Sequence, residues 1–205
     1  MISAQDALER LQKGNREFVA AMNSGNPIFG DSRRTELTLE QDPFTIVLGC
    51  SDARVPAEIV FNQGLGDLFV IRVAGNIVAP SQIGSVEFAA SHFGTHLVVV
   101  LGHTRCGAIQ ATLDELRQPT ENQSRNLRSI VDRVRPCAEI LLRTELRHDP
   151  AALVHHVTRA NVAASVNQLR HGSQILEQLI SRQELLVVGA EYSVETGLVE
   201  FLNGS

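Results

Sequence analysis

No stretch of the sequence approaches the roughly 20 consecutive apolar residues that a membrane span requires, and the opening MISAQDALERLQKGNREFVAAM lacks the uninterrupted apolar core of an export signal. No membrane partner is therefore expected, and the cytoplasm is the expected compartment. Positive charge is also scarce: 18 Lys and Arg stand against 23 Asp and Glu, a formal net charge of -5. Nucleic-acid-binding surfaces need an excess of cations to replace phosphate counterions, so nucleic acid is not an expected partner. Cysteine is sparse and odd in number, at Cys50, Cys106 and Cys137, which argues against a disulfide framework and leaves thiolate chemistry or metal binding. There is no C-x-x-C for redox work, and neither G-x-G-x-x-G nor G-x-x-x-x-G-K-[ST] for nucleotide phosphates. Internal repeats and low-complexity segments are absent, and so is tryptophan.

What is present suits one globular unit. Apolar residues at 43% and charged residues at 20% are ordinary values, and 205 residues suffice for a single well-buried domain spanning 1–205. Residues 1–22 read as a helical arm, with Ala7, Leu8, Leu11, Phe18, Val19 and Met22 at near-helical spacing and Ser3 as N-cap before Asp6. A polar stretch from 23 to 42 detaches this helix from the body, which suggests packing on a neighbouring subunit, with its own body as the alternative seat. In the body, 44–205, four apolar runs read as buried strands: 44–49, 67–74, 96–102 and 184–192. Helical patterns lie between them, at 81–93 and through a long section from about 124 to 180. The expected fold class is α/β, a mainly parallel sheet flanked by helices, with Glu195, Thr196 and Gly197 turning the chain into an antiparallel edge strand near the C-terminus.

Two short stretches carry chemistry. CSDAR (50–54) follows the first strand, and on an extended chain Cys50, Asp52 and Arg54 would point to one side. GHTRCGA (102–108) follows the third, and the spacing of His103 and Cys106 would suit one face of a helical turn. Sites in parallel α/β sheets form beyond the carboxyl ends of strands, so two such ends would gather two thiols, an imidazole and a carboxylate. That set suits tetrahedral zinc. A lone buried cysteine is more often a small hydrophobe, and a lone histidine more often a structural or solvated residue. Cys137, His92, His96, His148, His155, His156 and His171 are read in that way; the two pairs at matching strand ends are not. A phosphatase or rhodanese loop would need a longer anion-cradling loop closed by arginine, whereas Arg54 is only four residues beyond Cys50.

With CSDARVPAE, DLFVIRVAGN, GSVEFAA and GHTRCGA in that order, nearly the whole chain resembles the β-class carbonic anhydrases. The resemblance implies zinc held by Cys50, His103 and Cys106, with Asp52 paired to Arg54 in an open site and ligating the metal only in a closed one. It implies carbon dioxide and bicarbonate as substrate and product, interconverted by a zinc-bound hydroxide that Asp52 orients. It further implies Gln41 as a donor to substrate oxygen, and Phe69, Ala74, Phe88 and Gly107 as the walls of a tight pocket, partly across a subunit interface; ordinary core packing is the other reading of Phe69 and Phe88. A homodimer or homotetramer is the implied assembly. Some relatives carry an allosteric bicarbonate pocket of tryptophan, arginine and tyrosine; here Arg72 and Tyr192 match, but Val47 replaces the tryptophan, which implies the open subtype without that switch. Hydrolysis of carbonyl sulfide or carbon disulfide is the enzymatic alternative, and a catalytically silent zinc-binding or bicarbonate-sensing protein is the alternative from another class.

Overall fold

The computed structural model describes residues 2–24, 41–119 and 124–202, so most of the polar stretch at 23–42 lies outside the described residues. In chain order the elements are α1 (Ala4–Ser24), β1 (Thr45–Gly49), α2 (Ala57–Val60), β2 (Leu68–Arg72), α3 (Pro80–His92), β3 (Leu97–His103), α4 (Gly107–Arg117), α5 (Arg125–Leu142), α6 (Pro150–His171), α7 (Gln174–Ser181), β4 (Leu186–Tyr192) and β5 (Val199–Leu202). One mixed sheet has the order β2-β1-β3-β4-β5. The first four strands run parallel and β5 pairs antiparallel to β4, as the sequence implies.

The central strands are apolar without alternation because both faces are covered. Every residue of β1 and β3 is buried. On one face, Ile46, Leu48, Val98, Val100 and Val187 pack with α3, α6 and α7; on the other, Val47, Leu97, Val99, Leu101 and Tyr192 pack with α1 and α2. The second strand is shorter than its apolar run, ending at Arg72, because Ala74–Asn76 forms a 3-10 turn with Gly75 at φ 71°. The long helical section divides at capped breaks: Asp149 accepts from the Ala152 amide at the start of α6, and Ser173 from that of Leu176 at the start of α7.

The arm helix α1 buries Ala7, Leu11, Gly14 and Asn15 on its own chain. A Cβ on Gly14 would fall 1.8 Å from the Phe61 carbonyl oxygen, so only glycine permits this approach. Asn15 donates to the carbonyls of Val60 at 2.9 Å and Gly197 at 2.8 Å, and accepts from the Val199 amide at 3.0 Å. This face of the helix seats on its own chain, the alternative that the sequence left open. Contact with a neighbour is left to the remaining surface, such as that of the half-exposed Met22. Among the described residues, no helix is long and apolar enough to cross a membrane.

Candidate metal centre

In this register β1 ends at Gly49 beside Leu101, so the chain leaves the two central strands at neighbouring points. Cys50 follows one strand, His103 closes the other, and Cys106 is the N-cap residue of α4. The local geometry differs from the spacing argument at both pairs. His103 and Cys106 do not share a helical turn; a strand end and a helix cap are joined through Arg105, whose φ of 54° reverses the chain. Asp52 and Arg54 do not alternate along an extended chain either. The Val55 amide donates to the Asp52 carbonyl at 3.0 Å, and this turn brings the arginine back over the carboxylate.

The ligand atoms of Cys50, His103 and Cys106 all lie within 4.8 Å of one another, and the three residues are buried. The two Sγ atoms are 4.0 Å apart; two sulfurs on one tetrahedral zinc would stand about 3.8 Å apart for bonds of about 2.3 Å. His103 Nδ1 lies 2.9 Å from the Thr104 carbonyl oxygen, which can only accept, so the ring proton sits on Nδ1. Nε2 is then a bare lone pair, buried and without a hydrogen-bond partner among the described residues. An orphaned acceptor facing two thiols is what a soft cation satisfies, and a carbonyl on the other ring nitrogen fixes the tautomer a metal needs. The residues fit zinc.

Electrostatics agree. A hydrogen bond from Cys106 is the largest influence pushing the Cys50 thiol down to about 4, with the Gly75 amide 3.3 Å from its sulfur adding to the effect. Cys106 is pushed up by Cys50 beside it and by burial. Together the pair gives up one proton readily and holds the other until a cation compensates the second charge. Arg54 grips Asp52 with both arms, Nε to Oδ1 at 2.9 Å and Nη2 to Oδ2 at 2.7 Å, and its amide adds a third bond at 3.0 Å. These bonds from Arg54 hold the Asp52 carboxyl well below the usual carboxylate range. Asp52 Oδ2 is nonetheless only 3.9 Å from His103 Nε2, at the edge of the cluster.

Arg72 and Glu195 hold the two loops, in roles that the sequence reading did not give them. Arg72 donates to the carbonyls of Cys50 and Asp52. Glu195 accepts from Thr104 Oγ1 at 2.6 Å and pairs with Arg105 at 2.5 Å. Arg54 also reaches the Arg105 carbonyl at 3.3 Å, linking one loop to the other. No spacing rule finds Glu195, which lies 91 residues from Thr104.

The pocket residues divide. Ala74 is next to Gly75 and hence beside Cys50, and Gly107 follows Cys106 with open space at its Cα. A cavity of about 670 Å³ opens at Cys106 and Gly107, walled also by Val154, His155 and Glu195, and Ala74 does not line it. Gln41, exposed, precedes β1 and so lies toward the opposite end of the sheet. Phe69 pairs in register with Ile46, near the start of β2, and belongs with Phe88, His92 and Phe93 to an aromatic cluster on the edge strand and α3. Within one chain, Gln41, Phe69 and Phe88 are not brought to the metal centre.

A parallel sheet carrying Cys, His and Cys at adjacent carboxyl ends defines a zinc-binding α/β protein. The carbonic anhydrase family model matches residues 45–199. A carbonic anhydrase of Mycolicibacterium smegmatis is 40% identical over 194 residues, covering 95% of this chain and 91% of that protein. The crystal structure of the β-carbonic anhydrase CafA of Aspergillus fumigatus superimposes with a TM-score of 0.75 at 26% identity, covering 93% of this chain and 88% of the other. A tetrameric β-carbonic anhydrase of Sordaria macrospora shares the fold, with a TM-score of 0.72 at 22% identity and coverage of 97% and 98%. The chain belongs to the carbonic anhydrase family, in its β class: it is a zinc enzyme of a family whose general activity is the hydration of carbon dioxide.

Proposed function

We propose that this chain interconverts carbon dioxide with bicarbonate and a proton as the open-site subtype, without a tryptophan-based bicarbonate switch. The observation that carries this reading is the two-armed grip of Arg54 on Asp52. It keeps the carboxylate beside the cluster yet engaged elsewhere, so that Cys50, His103 and Cys106 alone hold the metal. Zinc bound there would lower the pKa of water from 15.7 to about 7 and so supply a nucleophile at neutral pH. Asp52, ionised by Arg54, accepts a hydrogen bond from the reacting water and directs its lone pair at the carbon of the substrate. Gly107 leaves space for a small apolar molecule. Val47, buried in β1, takes the place that a tryptophan would need for the switch.

The same reading includes assembly. Gln41, Phe69 and Phe88 serve a metal centre only from a second copy of the chain, and the exposed aromatic cluster on edge strand β2 offers the surface for a homodimer or homotetramer. The tetramers of Sordaria macrospora support that reading. A cytoplasmic setting suits three free cysteines, two of which must stay reduced to hold metal.

Stopped-flow hydration of carbon dioxide by zinc-verified protein, with Asp52→Ala alongside, tests the proposal. Activity in the wild type that falls at least tenfold in the variant, with one zinc per chain in both, is the expected result. A zinc-loaded wild type without hydration activity would overturn it and turn attention to carbonyl sulfide and carbon disulfide.

A further inference from the structure

Beyond Gly49 the loop bearing Cys50 and Asp52 loses its strand partners. The last rung runs from the Val73 amide to the Gly49 carbonyl at 3.1 Å, after which β2 turns away through Ala74–Asn76. Arg72 takes over at that point. It is the final residue of β2, in register with Gly49, and its guanidinium continues the pairing with side-chain donors. Nε donates to the Cys50 carbonyl at 2.9 Å and Nη2 to the Asp52 carbonyl at 2.6 Å. Two carbonyls two residues apart match the spacing of a planar fork, a geometry that lysine, with one ammonium, cannot reproduce.

The grip matters because of what the two residues carry. The Cys50 sulfur must stay on the Gly75 amide and beside Cys106, and the Asp52 carboxylate must stay on Arg54. Their backbone is fixed together by a single side chain from the edge strand, with Arg54 linking the same loop onward to Arg105. We propose that Arg72 is a positioning residue, a clamp that holds the metal-bearing loop in register. The resemblance alone would assign it to an anion pocket, but here its fork is committed to protein carbonyls. The inference rests on the zinc anhydrase reading for its functional consequence.

The test compares the wild type with Arg72→Lys and Arg72→Gln, each loaded with zinc and, separately, with cobalt(II). Partners that orient metal ligands typically change affinity or activity 10–100-fold when removed. Competition with a chelator should show zinc held about 10–100-fold more weakly in both variants. The thiolate-to-cobalt and visible cobalt bands should shift, and kcat should fall with KM nearly unchanged. Lysine should restore little, since it keeps the charge and loses the fork. Circular dichroism confirms that each variant is folded, and Arg72→Lys, which keeps the charge and most of the stem, gives the reading if Arg72→Gln does not fold. Wild-type cobalt spectra and chelator competition in both variants would overturn the clamp. So would bicarbonate inhibition that is present in the wild type and lost in Arg72→Lys with the spectrum unchanged, the behaviour of an anion site. Failure of the wild type to hydrate carbon dioxide would count against the functional reading alone, because the spectra and the competition read the loop with or without turnover.

Discussion

At the scale of single residues, His103 decides the character of the centre. Its ring is fully buried, its Nδ1 proton is committed to the Thr104 carbonyl, and its Nε2 makes no hydrogen bond among the described residues. A buried acceptor left unsatisfied costs about 1–3 kcal/mol, which a cation held between Nε2 and the two thiols removes. His103→Ala should therefore hold well under one zinc per chain after dialysis, by atomic absorption, while hydration activity disappears. Full zinc occupancy in that variant would mean that the histidine is structural. These ligands were legible in the sequence because Cys50 and His103 sit where apolar runs stop and Cys106 follows three residues on, and strand ends are positions that a pattern can locate. The manner of their convergence was not legible. Alternation along an extended chain put Arg54 on the correct side for the wrong reason, since the Asp52–Val55 turn delivers it, and the positive φ of Arg105 is invisible in a motif.

At the scale of elements, the second loop depends on the turn between β4 and β5. Glu195 collects Thr104 and Arg105 from the segment joining the two ligands of β3 and α4, and the Thr104 hydroxyl in turn accepts from the Val194 amide at 3.1 Å. The hydrogen bond from Thr104 is the largest influence lowering the Glu195 pKa. A carboxyl whose folded pKa is depressed contributes stability that is fully present above its unfolded pKa, about 4.3, and is lost as pH falls through the folded value. The difference in urea midpoint between wild type and Glu195→Gln should stay constant from pH 7 down to about 5 and shrink as pH falls below about 4.3. A difference that grows on acidification would contradict the assigned pairing. Sequence pattern found the four parallel strands and the antiparallel edge because their runs are apolar on both faces or bounded by a glycine turn. It could not place Arg72 or Glu195, whose contacts join residues 20 and 91 apart. It also let β2 run on past Arg72, because Val73 and Ala74 are as apolar as the strand and only the conformation of Gly75 stops it.

At the scale of the whole molecule, the outer side of β2, which pairs with no strand among the described residues, and the aromatic cluster beside it are the features that one chain leaves unfinished. Phe88 is 50% exposed, stacks on His92 at 5.0 Å between ring centroids and meets Phe69 at 6.1 Å. A sheet edge left open among the described residues and an apolar patch beside it are liabilities for a free monomer, and both are relieved when a second copy covers them. The same contact would carry Gln41, Phe69 and Phe88 toward a neighbour's metal centre, since their own centre lies at the other end of the strands. Phe88→Glu places a charge in the middle of that surface without touching a metal ligand. Loss of a central aromatic anchor typically costs 2 kcal/mol or more of association, roughly 30-fold in affinity. Light scattering should find this variant predominantly monomeric at concentrations where the wild type is assembled, still with one zinc per chain, and with hydration reduced at least tenfold. A variant that stays assembled, or a monomer that keeps full activity, would show that the aromatic cluster is not where the active site is completed.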